Sequence, residues 1–163
     1  MSSFKGNKLP EEWEEKKLID IVAKMHQGIN TAADKVRFQE KGIPILQTRN
    51  ITKGHIDFEN VKLMSDNDWL KYHERYSPRE NDILFSNIGT IGKSVVVGKT
   101  EKYLIHWNIF LVRLKEEIVL PHYIKHYLDF LDVIKYFFNL QKVGPFILFQ
   151  RKFVQHICTR PSV

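Results

Sequence analysis

The chain has 163 residues, 43% hydrophobic and 27% charged, the length and balance of one domain with its own core and not of a disordered segment. Its 25 Lys and Arg against 19 Asp and Glu give a net charge of +6, and the excess is one-sided: residues 1–82 hold 14 of each sign, residues 83–163 hold 11 basic and 5 acidic. With no apolar run near 18 residues, no apolar stretch behind Met1 and a single cysteine, Cys158, the expectation is a cytoplasmic chain without membrane span, secretory signal, disulfide framework or Cys-rich zinc site.

In chain order, residues 13–18 read as an opening strand that leads to a short helix over about Leu18–Ala23, ended by Gly28. A polar loop runs to Lys41, and Ile43–Gln47 reads as a buried strand with Pro44 at an edge or strand start. Asn50 and Gly54 mark a turn, followed by short strands at Ile56–Phe58 and Val61–Met64. Ser65 is the expected N-cap, with Asp68 in the capping-box position, of a helix to about Tyr72. Pro78–Asp82 is a turn. Ile83–Phe85, Ser94–Val97 and Asn108–Leu114 are strands. After Pro121 the apolar residues Tyr123, Ile124, Tyr127, Leu128 and Leu131 recur at helical spacing. Gly144-Pro145 interrupts, a last helix spans about Phe149–Gln155, and Ile157–Arg160 closes as a strand. Many short strands with helices at the edges predict an α+β fold, not a regular βαβ series.

Chemical motifs are few. Gly89-Thr-Ile-Gly92-Lys93-Ser94 looks like a phosphate loop, but Asn87 stands where the first glycine belongs and a strand follows where a helix should. The same glycines serve a plain turn between two strands, or a turn that presents Asn87, Thr90 and Lys93 to a nucleic-acid backbone or base edge. His122 and His126 share a helix face, yet Tyr123 replaces the glutamate a metalloprotease helix needs, so no metal site is expected. Cys158 reads as a buried thiol. No nucleophile elbow, adenine-methylation motif or dinucleotide fingerprint occurs, so the chain is not expected to be an enzyme by itself.

The turn Thr48–His55 offers more. Arg49 can bind guanine and Asn50 adenine through paired hydrogen bonds if the loop enters a major groove, with Lys53 and His55 beside them. Alternatively Asn50 closes an Asx-turn and the cations are simply solvated. Lys142, Arg151 and Lys152 add basic points near the C-terminus. Phe137, Phe138, Phe146, Phe149 and Phe153 suit a core better than a base-stacking platform.

The ordered set Leu9-Pro-Glu-Glu-Trp13, Leu18–Ile21, Gly28, Gly42–Leu46, Asn50-Ile51, Asn81–Ser86, Gly89–Lys93, Pro121-x-Tyr123 and Ile157-x-x-x-Pro161 resembles the target recognition domain of type I restriction–modification specificity subunits. Gly28-Ile-Asn-Thr-Ala32 and His106-Trp-Asn108 depart from that pattern. The resemblance implies a curved, mostly antiparallel sheet with flanking helices. It also implies sequence-specific binding of duplex DNA, one half of a bipartite target being read by Arg49, Asn50, Lys53, His55, Asn87, Thr90, Lys93 and Lys142. Residues 1–163 would form a single recognition domain without the connecting helix and second domain usual in the family. No cofactor belongs to the chain on this reading. The expected partners are double-stranded DNA, methylation and restriction subunits using S-adenosylmethionine, ATP and Mg, and a second copy of the chain. The alternative is a truncated protein-interaction domain that has lost independent DNA recognition.

Overall fold

The computed structural model describes residues 14–99, 101–133 and 157–159, with side-chain burial defined over 17–99 and 101–131. In chain order the elements are β1 (Glu14–Lys16), α1 (Leu18–Ile21), β2 (Val22–Gln27), β3 (Ile43–Leu46), a 3-10 turn (Thr48–Asn50), β4 (Lys62–Met64) and α2 (Asp66–Tyr76). Then come β5 (Ile83–Ser86), β6 (Ser94–Val96), β7 (Leu104–Ile105), β8 (Ile109–Leu114), α3 (Pro121–Val133) and β9 (Ile157–Thr159). An antiparallel sheet in the order β2-β8-β5-β6 faces a second sheet in the order β4-β3-β7, in which β3 and β7 run parallel. A two-strand ribbon pairs β1 with β9, Glu14 lying opposite Thr159.

The strand sequences explain this layering. β5 and β8 are apolar on both faces because the sheet is covered on both sides. Ile83, Phe85, Phe110, Val112 and Leu114 pack with Leu18, Ile21, Ile124, Leu128 and Leu131 of α1 and α3. Alternate residues Leu84, Ile109 and Leu111 meet Leu46, Ile51, Val95, Val97, Tyr103 and Ile105. The outer face of the second sheet, through Ile45, Met64 and Leu104, packs with Ile29, Val36 and Tyr76, with Trp69 and Tyr72 of α2 alongside. The order of layers is helix, sheet, sheet, helix, and the α+β class is as expected.

Most elements lie where the sequence places them, and the departures have physical causes. The expected helix at Leu18–Ala23 ends at Ile21, and a six-residue strand follows that sequence reading missed. A β-bulge explains why: Val22 pairs with Leu114 and Lys24 with Arg113, leaving Ala23 as the extra residue. Val22 and Met25 therefore both pack against the first core at a helix-like spacing of three. Ile56–Phe58 is not a strand; Ile56 and Phe58 pack from a loop against the second core. β7 is two residues long, too short to carry a pattern. Pro44 sits at the strand start, pairing only with β4, while Ile45 and Leu46 make the pairs to β7.

Ser65 caps α2 as expected. Its hydroxyl accepts from the Asp68 amide at 3.0 Å and donates to the Asp68 carboxylate at 2.7 Å. The helix continues beyond Tyr72 to Tyr76, whose ring is buried. The expected last helix, Gly144-Pro145 and Lys142 lie outside the described residues. Among the described residues no helix is long and apolar enough to cross a membrane.

Candidate nucleic-acid interface

Gly28 and Ile29 stitch the two sheets together and set where the loops emerge. The Gly28 amide donates to Ile109 O at 3.0 Å, the Ile29 amide to Ile105 O at 2.9 Å, and the Trp107 amide to Ile29 O at 2.9 Å. A Cβ on Gly28 would lie 2.1 Å from Ile105 O, so only glycine allows this approach. As a result the C-terminal ends of β2, β3, β5 and β7 and the start of β8 face the same way. Four loops emerge there: 28–36, 47–61, 87–93 and 106–108.

Thr48 binds three of these loops to one another. Its hydroxyl lies 3.1 Å from Ile88 O and 3.0 Å from Asn108 O, and the Asn87 amide donates to Asn108 O at 3.2 Å. The Gly89–Lys93 turn is a β5–β6 hairpin connection in which Gly89 and Gly92 take φ of 81° and 96°. It is closed by Ser86, whose amide donates to Lys93 O and whose hydroxyl oxygen accepts from the Lys93 amide. Thr90 stands exposed at its tip, with Lys93 half-exposed beside it. A second half-closed loop comes from Arg49, which is exposed and donates to Asn60 O at 2.8 Å.

Two residues expected to read bases are buried instead. Asn50 is 3% exposed. Its Oδ1 accepts from the Gln47 amide and its Nδ2 donates to Asp57 O, each at 2.9 Å. Asn50 thus fastens its own loop, through a capping box with Gln47 and a reach to Asp57 O and not through the expected Asx-turn, because a loop running to residue 61 needs an internal fastener for its backbone polar groups. Asn87 is also 3% exposed, with Oδ1 shut away beneath the hairpin. Neither side chain offers an edge to a groove.

Lys53 and His55 belong to the outer part of the same loop, away from the hairpin tip. Lys53 pairs with Asp57 at 2.6 Å. That hydrogen bond lifts the Lys53 pKa, and together with the Glu59 amide it holds the Asp57 carboxyl below its usual range. His55 borders a cleft of about 280 Å³ shared with Ile56, Phe58, Val96, Lys99 and Tyr103. Lys142 lies outside the described residues. Arg49, Thr90 and Lys93 are thus the expected residues that the fold brings to the surface at the loop end.

Residues 10–144 match the family described as type I restriction modification DNA specificity domain. The chain belongs to this family. It is 28% identical over 126 residues to the type I restriction enzyme MjaX specificity subunit named in Methanocaldococcus jannaschii, covering 74% of this chain and 28% of that protein. In fold it is similar to the HsdS subunit of Thermoanaerobacter tengcongensis, with TM-score 0.64, 16% identity, and coverage of 97% of this chain and 35% of that one. A chain from a structure of type I R-M complex assembly and conformational transition gives TM-score 0.62 at 15% identity, covering 99% and 37%. The specificity domain therefore spans about a third of the length of these relatives.

Sequence reading missed the 106–108 loop of the specificity domain as a site. Trp107, 37% exposed, stands at its apex, and its carbonyl accepts from the Gln27 side chain at 3.1 Å. Beneath it, His106 is buried, its Nε2 lying 3.3 Å from Thr31 Oγ1. Burial pushes the His106 pKa down. Asn108 sets a side-chain hydrogen bond against that effect of burial on His106, while Asn87 Oδ1 is buried here without a hydrogen-bond partner among the described residues. Such groups are uncommon in sheet cores and cluster where a structure serves something other than stability. The available signal was a lone tryptophan between two polar residues, in a segment too short for periodicity.

Proposed function

We propose that this specificity domain binds duplex DNA and reads one half of a bipartite target for a type I restriction–modification complex. The observation that carries this reading is the convergence of four loops at one end of a rigid two-sheet frame, with Arg49, Thr90, Lys93 and Trp107 at their surface. Hydrogen-bonding and cationic side chains on a rigid support suit groove reading, which needs donors and acceptors held in register. Arg49 supplies the paired donors that match guanine, Thr90 a small donor and acceptor at the tip, and Lys93 a charge for phosphate. On this reading the domain works without catalysis of its own. Methylation subunits supply S-adenosylmethionine chemistry, restriction subunits supply ATP- and Mg-dependent steps, and a second copy of the chain contributes the other half-site.

Selection from a randomised duplex pool at two salt concentrations tests the proposal. A short preferred half-site is expected, with affinity falling on a log–log slope of about −0.9 per phosphate contacted. Absence of any enriched sequence, or binding that ignores salt, would overturn it.

A further inference from the structure

A cluster of four cations lies away from the loop end, and three of the four come from the neutral half of the sequence. Lys24 of β2, Arg75 at the end of α2 and Arg79 in the following turn come together beside Arg113 of β8. Lys24 lies opposite Arg113 across the strand pair, and its Nζ reaches Arg75 O at 3.4 Å. Like charges placed opposite each other in a sheet oppose folding. Arg113 escapes this cost through Asp82, which is 1% exposed and takes two hydrogen bonds from the guanidinium, both at 2.7 Å. The Asp82 carboxylate is thereby committed, and its Oδ2 also accepts from the Arg79 amide at 2.8 Å.

Among the described residues no carboxylate forms an ion pair with Lys24, Arg75 or Arg79. The Arg75 guanidinium rests over the Tyr76 ring, 5.1 Å from its centroid, which orients it without cancelling its charge. Glu74 and Glu80, their neighbours in sequence, are exposed and do not figure among the charges acting on Lys24. Burial first, then Arg113 and Arg79, hold the Lys24 pKa below its ordinary value, with Asp82 pulling the other way. The bulge at Ala23 creates the arrangement, since without the extra residue Lys24 would turn to the other face.

We propose that Lys24, Arg75 and Arg79 form a phosphate-binding cradle that grips the DNA backbone flanking the bases read at the loop end. This rests on the DNA-binding reading above and adds a second, separate contact surface to it. Position selects the DNA backbone as the occupant. Lys24 lies three residues along β2 from Gln27, whose side chain holds the Trp107 loop, which is about 10 Å of extended strand. The major groove is about 8.5 Å deep, so a duplex that takes the loop tips into that groove brings its rim phosphates to about the level of the cradle. Phosphate contacts position a protein on DNA without reading sequence, and exposed cations on rigid elements suffice for that.

The test compares the full chain with a triple variant, Lys24→Gln, Arg75→Gln and Arg79→Gln, on the preferred duplex over a salt series. Affinity falls, and the log–log salt slope shrinks by about 0.9 for each cation that met a phosphate, up to about 2.7 for all three. The order of preferred sequences stays as in the parent chain. A charge-keeping variant, Lys24→Arg with Arg75→Lys and Arg79→Lys, regains the slope; if it does not, the loss reflects altered folding and the cradle is wrong. An unchanged slope in the triple variant overturns the cradle while leaving sequence reading intact. If the parent chain binds no duplex at any salt, both proposals fall.

Discussion

The loop end and the β2 flank are about 10 Å apart along one strand, yet they are built on opposite principles. At the loop end hydrogen bonds are spent internally: Thr48, Asn50 and Ser86 fasten loops to one another, and few charges reach the surface. On the flank the buried Asp82 pairs with the half-buried Arg113, and three further cations gather beside it. The first arrangement fixes shape, which discrimination between base pairs requires. The second concentrates charge, which supplies affinity without discrimination. If the domain does both, as proposed, it gains by separating them, because a charge placed among reading groups attracts every sequence alike.

The sharpest way to break the contrast is at the flank. Arg113→Met leaves the Asp82 carboxylate buried without its partner and costs about 3–5 kcal/mol, read as a fall in urea midpoint. Adding Asp82→Asn removes the stranded charge and recovers part of the loss. At the loop end, Gly28→Ala forces a Cβ into Ile105 O and costs about 1–3 kcal/mol. Next is Thr48→Val, which removes the hydroxyl shared between Ile88 O and Asn108 O, costs about 1 kcal/mol and alters half-site preference through the two loops it releases.

Acid probes both regions at once. Burial holds His26 and His106 neutral with pKa values below the ordinary one, and for His26 the charges of Lys24, Arg75 and Arg113 add to the effect. The unfolded chain therefore takes up protons first as pH falls through about 6.5. The histidine contribution to stability is intact above that pH, declines below it, and levels off once the folded-state imidazoles titrate. Urea midpoints measured from pH 8 to pH 5 check the direction, and Lys24→Gln reduces the decline attributable to His26. The smallest effect on folding is that of Arg49→Ala, within about 0.5 kcal/mol. Its consequence is in recognition: about 1–3 kcal/mol of discrimination at one base pair, with a nearly unchanged salt slope.

Charge along the chain and charge in space disagree in a way that instructs. Residues 83–163 hold the whole basic excess, but in the fold their described cations are dispersed. Lys102 pairs with Asp66, Lys125 with Asp129 and Arg113 with Asp82, while Lys115 reaches Asp20 O. The neutral first half supplies three of the four cations at the flank. Its acidic residues balance its basic ones in number, and the one shown at the flank, Asp82, is committed to Arg113. Net charge by segment ignores which segments meet, and here β2, the end of α2 and β8 meet across long stretches of chain.

The candidate site was partly legible for a related reason. Arg49, Thr90 and Lys93 could be identified as turn residues because Gly, Asn and Thr clusters announce turns locally. That Asn50 and Asn87 sit 97% out of solvent could not be foreseen. An asparagine that fastens a loop and one that reads a base have the same sequence context until neighbouring loops are placed. Trp107 was passed over because its loop is defined by what it touches, Ile29 and Gln27, and not by its own pattern.

By itself the sequence determined the α+β class, the apolar strands β5, β6 and β8, the Ser65 cap and the helix after Pro121. Each follows from local propensity or from a hydrophobic period long enough to read. Tertiary structure decided where β2 runs, which asparagines are hidden, and where positive charge gathers. Those outcomes depend on a one-residue bulge, on a glycine with no room for a Cβ, and on pairings between distant segments, whose energies arise only once the chain has closed on itself.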